Sequence, residues 1–294
     1  MKILIFYSGG KDSQAALIHS VKKYGVNNCE AVFCDTGHEN PQTYEHIKTT
    51  IDQLGVKLVT LKSEKYDSLF DLAKKKKRFP STKARFCTEE LKIKPAIDYI
   101  LSLDESIIVI EGIRKDESLI RSKMEPECMY FRYYFEPYGY DKNGKEKKHS
   151  YRAKDVLEWC KKHDASKLRP IFTWTAEQTL NYIKDNGQLP NPLYYQGFSR
   201  VGCFPCIMAT KSEVKLIIQN HPEQWKAIKE AEKDSKGTFF KPDYIPNYAK
   251  FTRDKKGNQI ATAEDVEKYL TASSAQIDLF EKPIGCMSVY NLCE

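Results

Sequence analysis

A short segment near the N-terminus has the residue types needed to hold a phosphate group: Ser8-Gly9-Gly10-Lys11-Asp12-Ser13. Its two glycines allow the backbone to turn tightly and to approach a ligand without an intervening side chain. Backbone N–H groups at the start of a helix stabilise an anion, and the two serines and the lysine add side-chain donors. The spacing excludes a Walker loop. We therefore predict a phosphate-binding loop, the alternative being an ordinary strand-to-helix turn.

Asp12 follows the lysine of this loop and has two candidate roles. As a catalytic residue it would steer a metal ion such as Mg²⁺, or the pyrophosphate of a nucleotide. As the first acid of a helix it would only interact favourably with the helix dipole. The sequence leaves both roles open.

Two later segments carry further residues suited to a phosphate or sulfate group. The turn Asp35-Thr36-Gly37 directly follows an apolar run, and its aspartate is either a nucleotide contact or a cap. Gly112, Arg114 and Arg121 follow another apolar run. The forked donors of arginine match an oxyanion, whereas the alternative for each arginine is an exposed charge or a surface ion pair.

Eight of the nine cysteines, all except Cys87, fall into three groups. Cys203 and Cys206 have the spacing of a metal, iron–sulfur or redox pair. Cys286 and Cys293 lie near the end of the sequence, and either one is a candidate nucleophile. We interpret four cysteines near apolar runs as packing residues: Cys29, Cys34, Cys128 and Cys160.

Apolar runs alternate with helical patterns over the first 110 residues. The runs predict strands, and the helical spacing predicts helices, at Lys2–Phe6, Asp12–Tyr24, Ala31–Cys34, Pro41–Leu54, Val56–Leu61 and Ile107–Ile110. This alternation is typical of a parallel sheet with right-handed crossovers. We predict an α/β, Rossmann-like fold: an open, mostly parallel sheet of about five strands with helices on both faces. Since ligands of such sheets bind at the carboxyl ends of strands, the candidate segments share one edge.

The pattern changes after residue 110. Met129–Tyr138 is rich in aromatic residues and precedes a turn signal, which predicts a hairpin or an excursion. Helices are predicted at Ala153–His163, Ala176–Asn186, Ser212–Asp234 and Ala263–Leu270, and Gly237–Asn258 is predicted to loop over the surface. We divide the chain into a nucleotide-binding α/β region, residues 1–200, and a cysteine-loop and helical C-terminal region, residues 201–294.

Six segments resemble, in order, those of the PAPS/APS reductase family of the adenine nucleotide alpha hydrolase (N-type ATP pyrophosphatase) superfamily. They are Ser8–Ser13, Phe33–His38, Pro41–Tyr44, Glu111–Arg121, Arg169–Thr175 and Asn191–Cys206. The resemblance covers roughly the first two-thirds of the chain. It implies that ATP or an adenylyl sulfate binds to the loop and to the residues at matching positions: Ser8, Gly9, Gly10, Lys11, Asp12, Ser13, Asp35, Thr36, Gly37, Gly112, Arg114 and Arg121.

The resemblance also bears on the cysteines. Family members with a 4Fe–4S cluster hold it with a Cys-Cys pair and a later Cys-x-x-Cys pair. Cys203 and Cys206 match the later pair, and Cys87 matches the first cysteine of the earlier pair, where Thr88 replaces the second. With Cys286 as a fourth thiolate, the set would accept a 4Fe–4S cluster or zinc. A three-cysteine cluster whose open iron binds the transferred sulfur is the alternative.

The C-terminal segment departs from the reductase pattern. Reductases of the family carry a Glu-Cys-Gly-x-His motif whose cysteine attacks the sulfate, and this sequence lacks it. One interpretation is reduction of PAPS or APS by a thioredoxin-type reductant. Another is an ATP-dependent adenylating sulfurtransferase that acts on a nucleic acid with a sulfur donor protein. A nucleotide-sensing or cluster-binding module without activity is the third.

Composition limits the location and the partners. The 294 residues are 41% hydrophobic, enough for a core, and no apolar run approaches the ~20 residues of a membrane span. The N-terminus does not resemble a signal peptide, so we expect a cytoplasmic protein. The net charge of +7 suits a nucleotide or a nucleic acid. The run Lys74–Arg78 would serve a nucleic acid or form a solvated helix face, and a homo-oligomer is left open.

Overall fold

The computed structural model describes residues 1–272, and six of its strands form one sheet. The strands are β1 (Lys2–Phe6), β2 (Cys29–Cys34), β3 (Lys57–Leu61), β4 (Ile107–Ile110), β5 (Glu127–Met129) and β6 (Ala165–Leu168). Their order is β3-β2-β1-β4-β6-β5, and all neighbours are parallel except the antiparallel edge strand β5. The predicted α/β fold, with its open and mostly parallel sheet, is confirmed. No sequence pattern indicates β6, because Ala-Ser-Lys-Leu is not an apolar run.

Eleven helices accompany the sheet within the described residues. They are α1 (Lys11–Tyr24), α2 (Pro41–Leu54), α3 (Leu69–Lys76), α4 (Phe86–Thr88), α5 (Lys94–Leu101), α6 (Arg132–Phe135), α7 (Ala153–Trp159), α8 (Ala176–Asp185), α9 (Lys211–Asn220), α10 (Pro222–Ser235) and α11 (Ala263–Thr271). A π-helical turn, Glu89–Ile93, joins α4 to α5. The prediction of one helix over Ser212–Asp234 is wrong. The chain turns at His221, and Pro222 has no N–H with which to continue α9.

Helices cover both faces of the sheet. On one face, α1, α2 and α8 pack against alternate residues of β1 and β2, such as Ile3 and Ile5. On the other face, α5 and α7 pack against Leu4 and Val109. This alternation follows from the two-residue repeat of a strand.

A third core lies among α3, α9, α10 and α11. The prediction that Gly237–Asn258 loops over the surface is wrong for its aromatic residues, since Phe239, Phe240 and Tyr244 are buried in this core. Large rings stabilise a core through the area they remove from water. The core contains residues from both sides of position 200, and the division at that position stays a prediction.

Two short ribbons complete the structure. The predicted hairpin is present, with Gly139–Tyr140 paired to Glu146–Lys147, and Thr252–Arg253 pairs with Gln259–Ile260. Between residues 1 and 272, no helix has both the length and the apolar character needed to cross a membrane.

Candidate functional site

The predicted phosphate loop connects β1, in the middle of the sheet, to α1. Gly9 adopts φ +80°, a conformation that favours glycine, at the turn of the loop. Ser13 closes the loop from inside: its Oγ donates to the carbonyl of Gly10 at 3.0 Å and accepts from the Ser8 N–H at 3.2 Å. Both serines are buried. Their hydroxyls therefore hold the shape of the loop.

The N-terminus of α1 is contacted by a tyrosine from far along the chain. The N–H of Lys11 donates to the Tyr194 hydroxyl at 3.0 Å, and the Lys11 ammonium lies 5.2 Å from the centre of the tyrosine ring. N–H groups in the first turn of a helix have no acceptor within the helix, so an external oxygen is favourable there. The Tyr194 hydroxyl supplies one at the position where a phosphate loop binds an anion.

Gly112, directly after β4, allows the closest backbone approach to the loop. A Cβ at this position would lie 2.5 Å from the N and Cα atoms of Ser13. No side chain fits in that space. The glycine is therefore required by packing against the loop, which brings the segment after β4 beside it.

Arg114 reaches the loop as predicted, but it already has carboxylate partners. Its Nε lies 2.5 Å from Oδ1 of Asp12, and it also pairs with Asp116. Lys11 Nζ lies 3.2 Å from the other oxygen of Asp12. Asp12 and Arg114 are 3% and 5% exposed. A nucleotide phosphate would therefore share this arginine with the acids that hold it.

Arg121 lies behind this group. It is buried and pairs with Glu117, and the Glu117 carboxylate accepts the backbone N–H of Arg114 at 2.9 Å. Arg121 does not line the cavity beside the loop. The structure places it where it supports the Arg114 segment, and its role as a nucleotide contact stays a prediction.

The second predicted segment begins directly after β2. The Asp35 carboxylate pairs with Lys62 at 2.9 Å and accepts from the Tyr44 hydroxyl at 2.7 Å and the Gly37 N–H at 2.9 Å. Burial raises the pKa of Asp35, but these donors together outweigh it and hold the pKa below its usual value. Thr36 is buried and donates to Glu39 at 2.7 Å. Asp35 is therefore ionised and fixes the turn.

The Cys203–Cys206 loop is attached to this second segment. The Phe204 N–H donates to the carbonyl of His38 at 2.6 Å, and the His38 ring lies 3.0 Å from the carbonyl of Pro205. Burial lowers the pKa of His38 to about 4. The cysteine loop thus lies at the carboxyl-end edge of the sheet, beside the segment after β2.

The first cysteine of the pair, Cys203, is half-buried among these contacts. Cys203 Sγ lies 3.7 Å from Thr36 Oγ1, and Cys203 forms a β-bridge with Glu39. Burial raises the pKa of the Cys203 thiol to about 11. Cys34 lies half-buried nearby, with its sulfur 3.8 Å from the Lys92 carbonyl. Among the four predicted packing cysteines, only Cys29 is fully buried.

One cavity of about 340 Å³ joins the phosphate loop to the cysteine pair. Its lining includes Gly10, Lys11, Asp12, Lys92, Arg114, Tyr194, Arg200, Cys203 and Cys206. Sequence reasoning missed Lys92, Tyr194 and Arg200. Tyr194 and Arg200 lie inside a segment singled out for its resemblance, but Lys92 has no local signal, because only the fold brings its helical turn to the cavity.

The structure describes three of the four predicted metal ligands, Cys87, Cys203 and Cys206. Within residues 1–272, no three histidine, cysteine, aspartate or glutamate side chains are grouped to hold a metal ion. Cys87 packs against the third core, while Cys203 and Cys206 line the cavity. Cys286 and Cys293 lie outside the described residues. The described residues by themselves do not fit a cluster or a zinc ion, and the set with Cys286 stays a prediction.

Known proteins match the chain over much of its length. The family model for the phosphoadenosine phosphosulfate reductase domain matches residues 2–209. An uncharacterised 37.8 kDa protein of Escherichia phage 186 is 29% identical, covering 99% of this chain and 96% of its own length. An uncharacterised protein of Methanocaldococcus jannaschii is 25% identical. The match covers 76% of this chain and 40% of that protein. Among solved structures, the PAPS reductase of Candida auris matches with a TM-score of 0.46 and 17% identity, covering 70% of this chain and 83% of that one.

Proposed function

The chain belongs to the phosphoadenosine phosphosulfate reductase domain family, and from this premise we propose an enzyme that binds an adenine nucleotide at the Ser8–Ser13 loop and acts in sulfur transfer. One observation carries the proposal. The cavity beside the loop is also lined by the Cys203 and Cys206 thiols. A nucleotide with its phosphates on the loop would therefore place its phosphate or sulfate end near sulfur.

The charges of the cavity suit this orientation. Lys11, Lys92, Arg114 and Arg200 all line it, together with the N-terminus of α1. Helix N–H groups and arginine forks bind phosphate and sulfate oxygens. Asp12 holds Arg114 and Lys11 in place at 2.5 and 3.2 Å. In this proposal, Asp12 positions the two cations, and when Mg²⁺ accompanies the nucleotide it also steers the metal.

The first candidate reaction is reduction of an adenylyl sulfate. A thiolate, assigned to Cys286 or Cys293, attacks the sulfate sulfur. The new S–S bond forms as the S–O bond breaks, and the adenylate leaves with the electron pair. A thioredoxin-type dithiol then attacks the cysteine sulfur, releases sulfite and becomes a disulfide through a mixed disulfide, so the dithiol supplies both electrons.

The missing Glu-Cys-Gly-x-His motif favours a second candidate, an ATP-dependent sulfurtransferase. Here an oxygen of a nucleic-acid acceptor attacks the α-phosphorus of ATP, and pyrophosphate leaves. The terminal sulfur of a persulfide on a sulfur donor protein then attacks the activated carbon, and AMP leaves with the acceptor oxygen. A second thiol of the donor protein cleaves the S–S bond, which leaves the sulfur on the acceptor and a disulfide on the donor. The cations that line the cavity would stabilise the leaving phosphate in either reaction.

Product analysis on the full chain separates the two reactions. We expect sulfite and an adenylate from PAPS or APS with reduced thioredoxin, and loss of sulfite in Cys286→Ser or Cys293→Ser. Cys160→Ser is the matched control, because this half-buried thiol lies in neither the cavity nor the tail. Pyrophosphate from ATP without sulfite supports the second candidate. Nucleotide binding without either product, in the presence of reductant and acceptor, contradicts an enzyme.

The predicted thiolate set has its own test. Iron, sulfide and zinc are measured in protein purified without oxygen, for the unaltered chain, Cys203→Ser and Cys160→Ser. We expect bound metal that is lost in the Cys203 variant and kept in the control. Metal-free unaltered protein would leave Cys203 and Cys206 as redox or packing residues.

A further inference from the structure

The Tyr194 side chain lies over the N-terminus of α1, where the phosphate of the proposed nucleotide would bind. Its hydroxyl accepts the Lys11 N–H at 3.0 Å, and its ring centre lies 5.2 Å from the Lys11 ammonium. Gly10, which precedes α1, has no side chain with which to cap the helix. A residue 183 positions further along the chain therefore supplies the oxygen at this helix end.

The space directly over Gly10 is already filled. A Cβ at Gly10 would lie 3.5 Å from the Tyr194 hydroxyl oxygen and 3.6 Å from the Val201 carbonyl oxygen, which is ordinary van der Waals contact. In a phosphate loop, a glycine at such a position leaves room for a ligand to approach the backbone. A phosphate oxygen at hydrogen-bond distance from the Lys11 N–H would collide with the hydroxyl, because both oxygens need the same direction from that N–H.

The backbone that carries Tyr194 is anchored to the rest of the fold. It belongs to a short 3₁₀ turn, Pro192–Gln196, that follows Asn191. Asn191 is fully buried, and its Nδ2 donates to the Gly9 carbonyl at 3.2 Å. Leu193 is also fully buried, in the third core. The Tyr194 side chain is half-buried, so it can rotate away from the loop while these two anchors stay in place.

We propose that Tyr194 is a gate on the phosphate loop: a nucleotide phosphate takes the Lys11 N–H only when the tyrosine side chain rotates away. This proposal rests on the proposed function, because it places the phosphate at the Ser8–Ser13 loop. A charged phosphate oxygen forms a stronger hydrogen bond than a neutral hydroxyl, so the phosphate displaces the tyrosine. Since the hydroxyl must leave first, its hydrogen bond to Lys11 lowers the affinity for the nucleotide.

Calorimetric titration of the full chain with ATP tests the gate by the direction of one effect. Tyr194→Phe keeps the ring and removes the hydroxyl. We expect this variant to bind ATP about three- to tenfold more tightly than the unaltered chain, because the hydrogen bond that competes with the phosphate is gone. Tyr195→Phe is the matched control. It removes the same hydroxyl from the next residue, whose side chain is 67% exposed, and should leave the affinity unchanged.

Hydrogen exchange of the Lys11 amide gives a second readout, which follows the N–H itself. Without nucleotide, we expect this amide to exchange about three- to tenfold faster in Tyr194→Phe than in the unaltered chain, because it loses its acceptor. Saturating ATP should slow the exchange to a similar level in both proteins, since the phosphate then accepts the N–H. Tyr195→Phe should exchange like the unaltered chain under both conditions.

Three outcomes would overturn the gate and keep the nucleotide site. Weaker ATP binding in Tyr194→Phe would make the hydroxyl a phosphate contact, and unchanged binding would make it a structural contact only. Fast exchange of the Lys11 amide in ATP-bound Tyr194→Phe would show that the phosphate does not take this N–H. If neither protein binds ATP, PAPS or APS, the proposed function itself fails, and the gate fails with it. Tyr194→Leu, which also lacks the hydroxyl, replaces Tyr194→Phe if that variant does not fold.

Discussion

Two charge groups meet at the segment after β4, and they are balanced differently. The loop-side group contains Asp12, Asp116 and Glu117 with Lys11, Arg114 and Arg121, so each cation has a carboxylate. The edge-side group sets one carboxylate, Glu111, against Lys167 and Arg169. The loop-side cations are therefore already neutralised by acids, and the phosphate of the proposed nucleotide would share them. On the edge side, Lys167 and Arg169 both pair with this one carboxylate, so Glu111 takes part in two ion pairs.

Removing the shared carboxylate should have the largest effect. Glu111→Gln leaves two buried cations without their common anion, and we expect the free energy of unfolding to fall by about 3–5 kcal/mol. Chemical denaturation measures it. Asp52→Asn is the control, because the exposed Lys48–Asp52 pair should contribute only ~0.3–0.5 kcal/mol. Equal losses in the two variants would contradict the shared role of Glu111.

The next effect is steric. In Gly112→Ala, the new methyl group meets the backbone of Ser13 at 2.5 Å, so the loop must move. We expect a loss of about 2–3 kcal/mol of stability and a large loss of nucleotide affinity. Gly237→Ala is the control, since its nearest contact would be 3.3 Å, far from the loop. Unchanged nucleotide binding in Gly112→Ala would show that binding does not depend on the close packing of the segment after β4 against the loop.

A smaller loss of stability is expected where a cation pairs with more than one carboxylate. Asp12→Asn leaves Arg114 paired with Asp116, so we expect a loss of only about 1–2 kcal/mol. The freed charge of Lys11 and Arg114 should strengthen binding of ATP without Mg²⁺, while turnover falls. Denaturation and calorimetry measure the two changes. A loss as large as that of Glu111→Gln would show that the two groups do not differ in balance.

The stability of the protein should fall in acid because of His38, whose ring contacts the cysteine loop beside the cavity. Burial lowers the pKa of His38 to about 4, from 6.5 for an exposed histidine. As the pH falls, the histidine of the unfolded chain therefore takes up its proton before that of the folded protein. The contribution of neutral His38 to the free energy of unfolding is complete above pH 6.5 and is lost as the pH falls toward 4. We expect His38→Gln to reduce the pH slope of unfolding by about 1 kcal/mol per pH unit.

The control for that measurement is His163→Gln, since His163 contacts exposed Asp104 on another part of the molecule. Other buried histidines, His46 and His149, also have pKa values lowered to about 4 by burial and keep part of the slope in every variant. A slope that is the same in His38→Gln and in the unaltered chain would contradict the assignment.

The smallest effect concerns the basic run Lys74–Arg78. Lys74, Lys75 and Lys76 each pair with an acid, Asp234, Asp71 and Glu90, and Lys74 and Lys75 are at least half exposed. These contacts favour a solvated helix face. Lys75→Gln should change stability by less than about 0.5 kcal/mol and leave retention on a single-stranded nucleic acid unchanged. A marked loss of retention would restore the nucleic-acid interpretation of this run.

Local patterns predicted the parts of the fold that depend on nearby residues. The strand at Ile107–Ile110 is a continuous branched apolar run, and the helix beginning at Pro41 has its proline in the first turn. The loop follows from adjacent glycines between serines. By contrast, β6 contains a buried lysine, and the aromatic segment at Phe239 resembles a surface loop until α10 and α11 cover it. Their environments come from distant elements.

The sequence by itself determined the glycine turn between β1 and α1, the α/β order and the family, because glycine positions and periodic apolar residues act within a few residues of themselves. Only the tertiary structure decided which charges meet and which residues share a cavity. Asp12 and Arg114 are 102 residues apart in sequence, and Lys11 and Tyr194 are 183 apart. A charge is neutralised, or left in excess, by whatever the fold brings within a few ångströms of it. The distance between two such charges depends on how whole helices and strands pack, and no local sequence pattern indicates it.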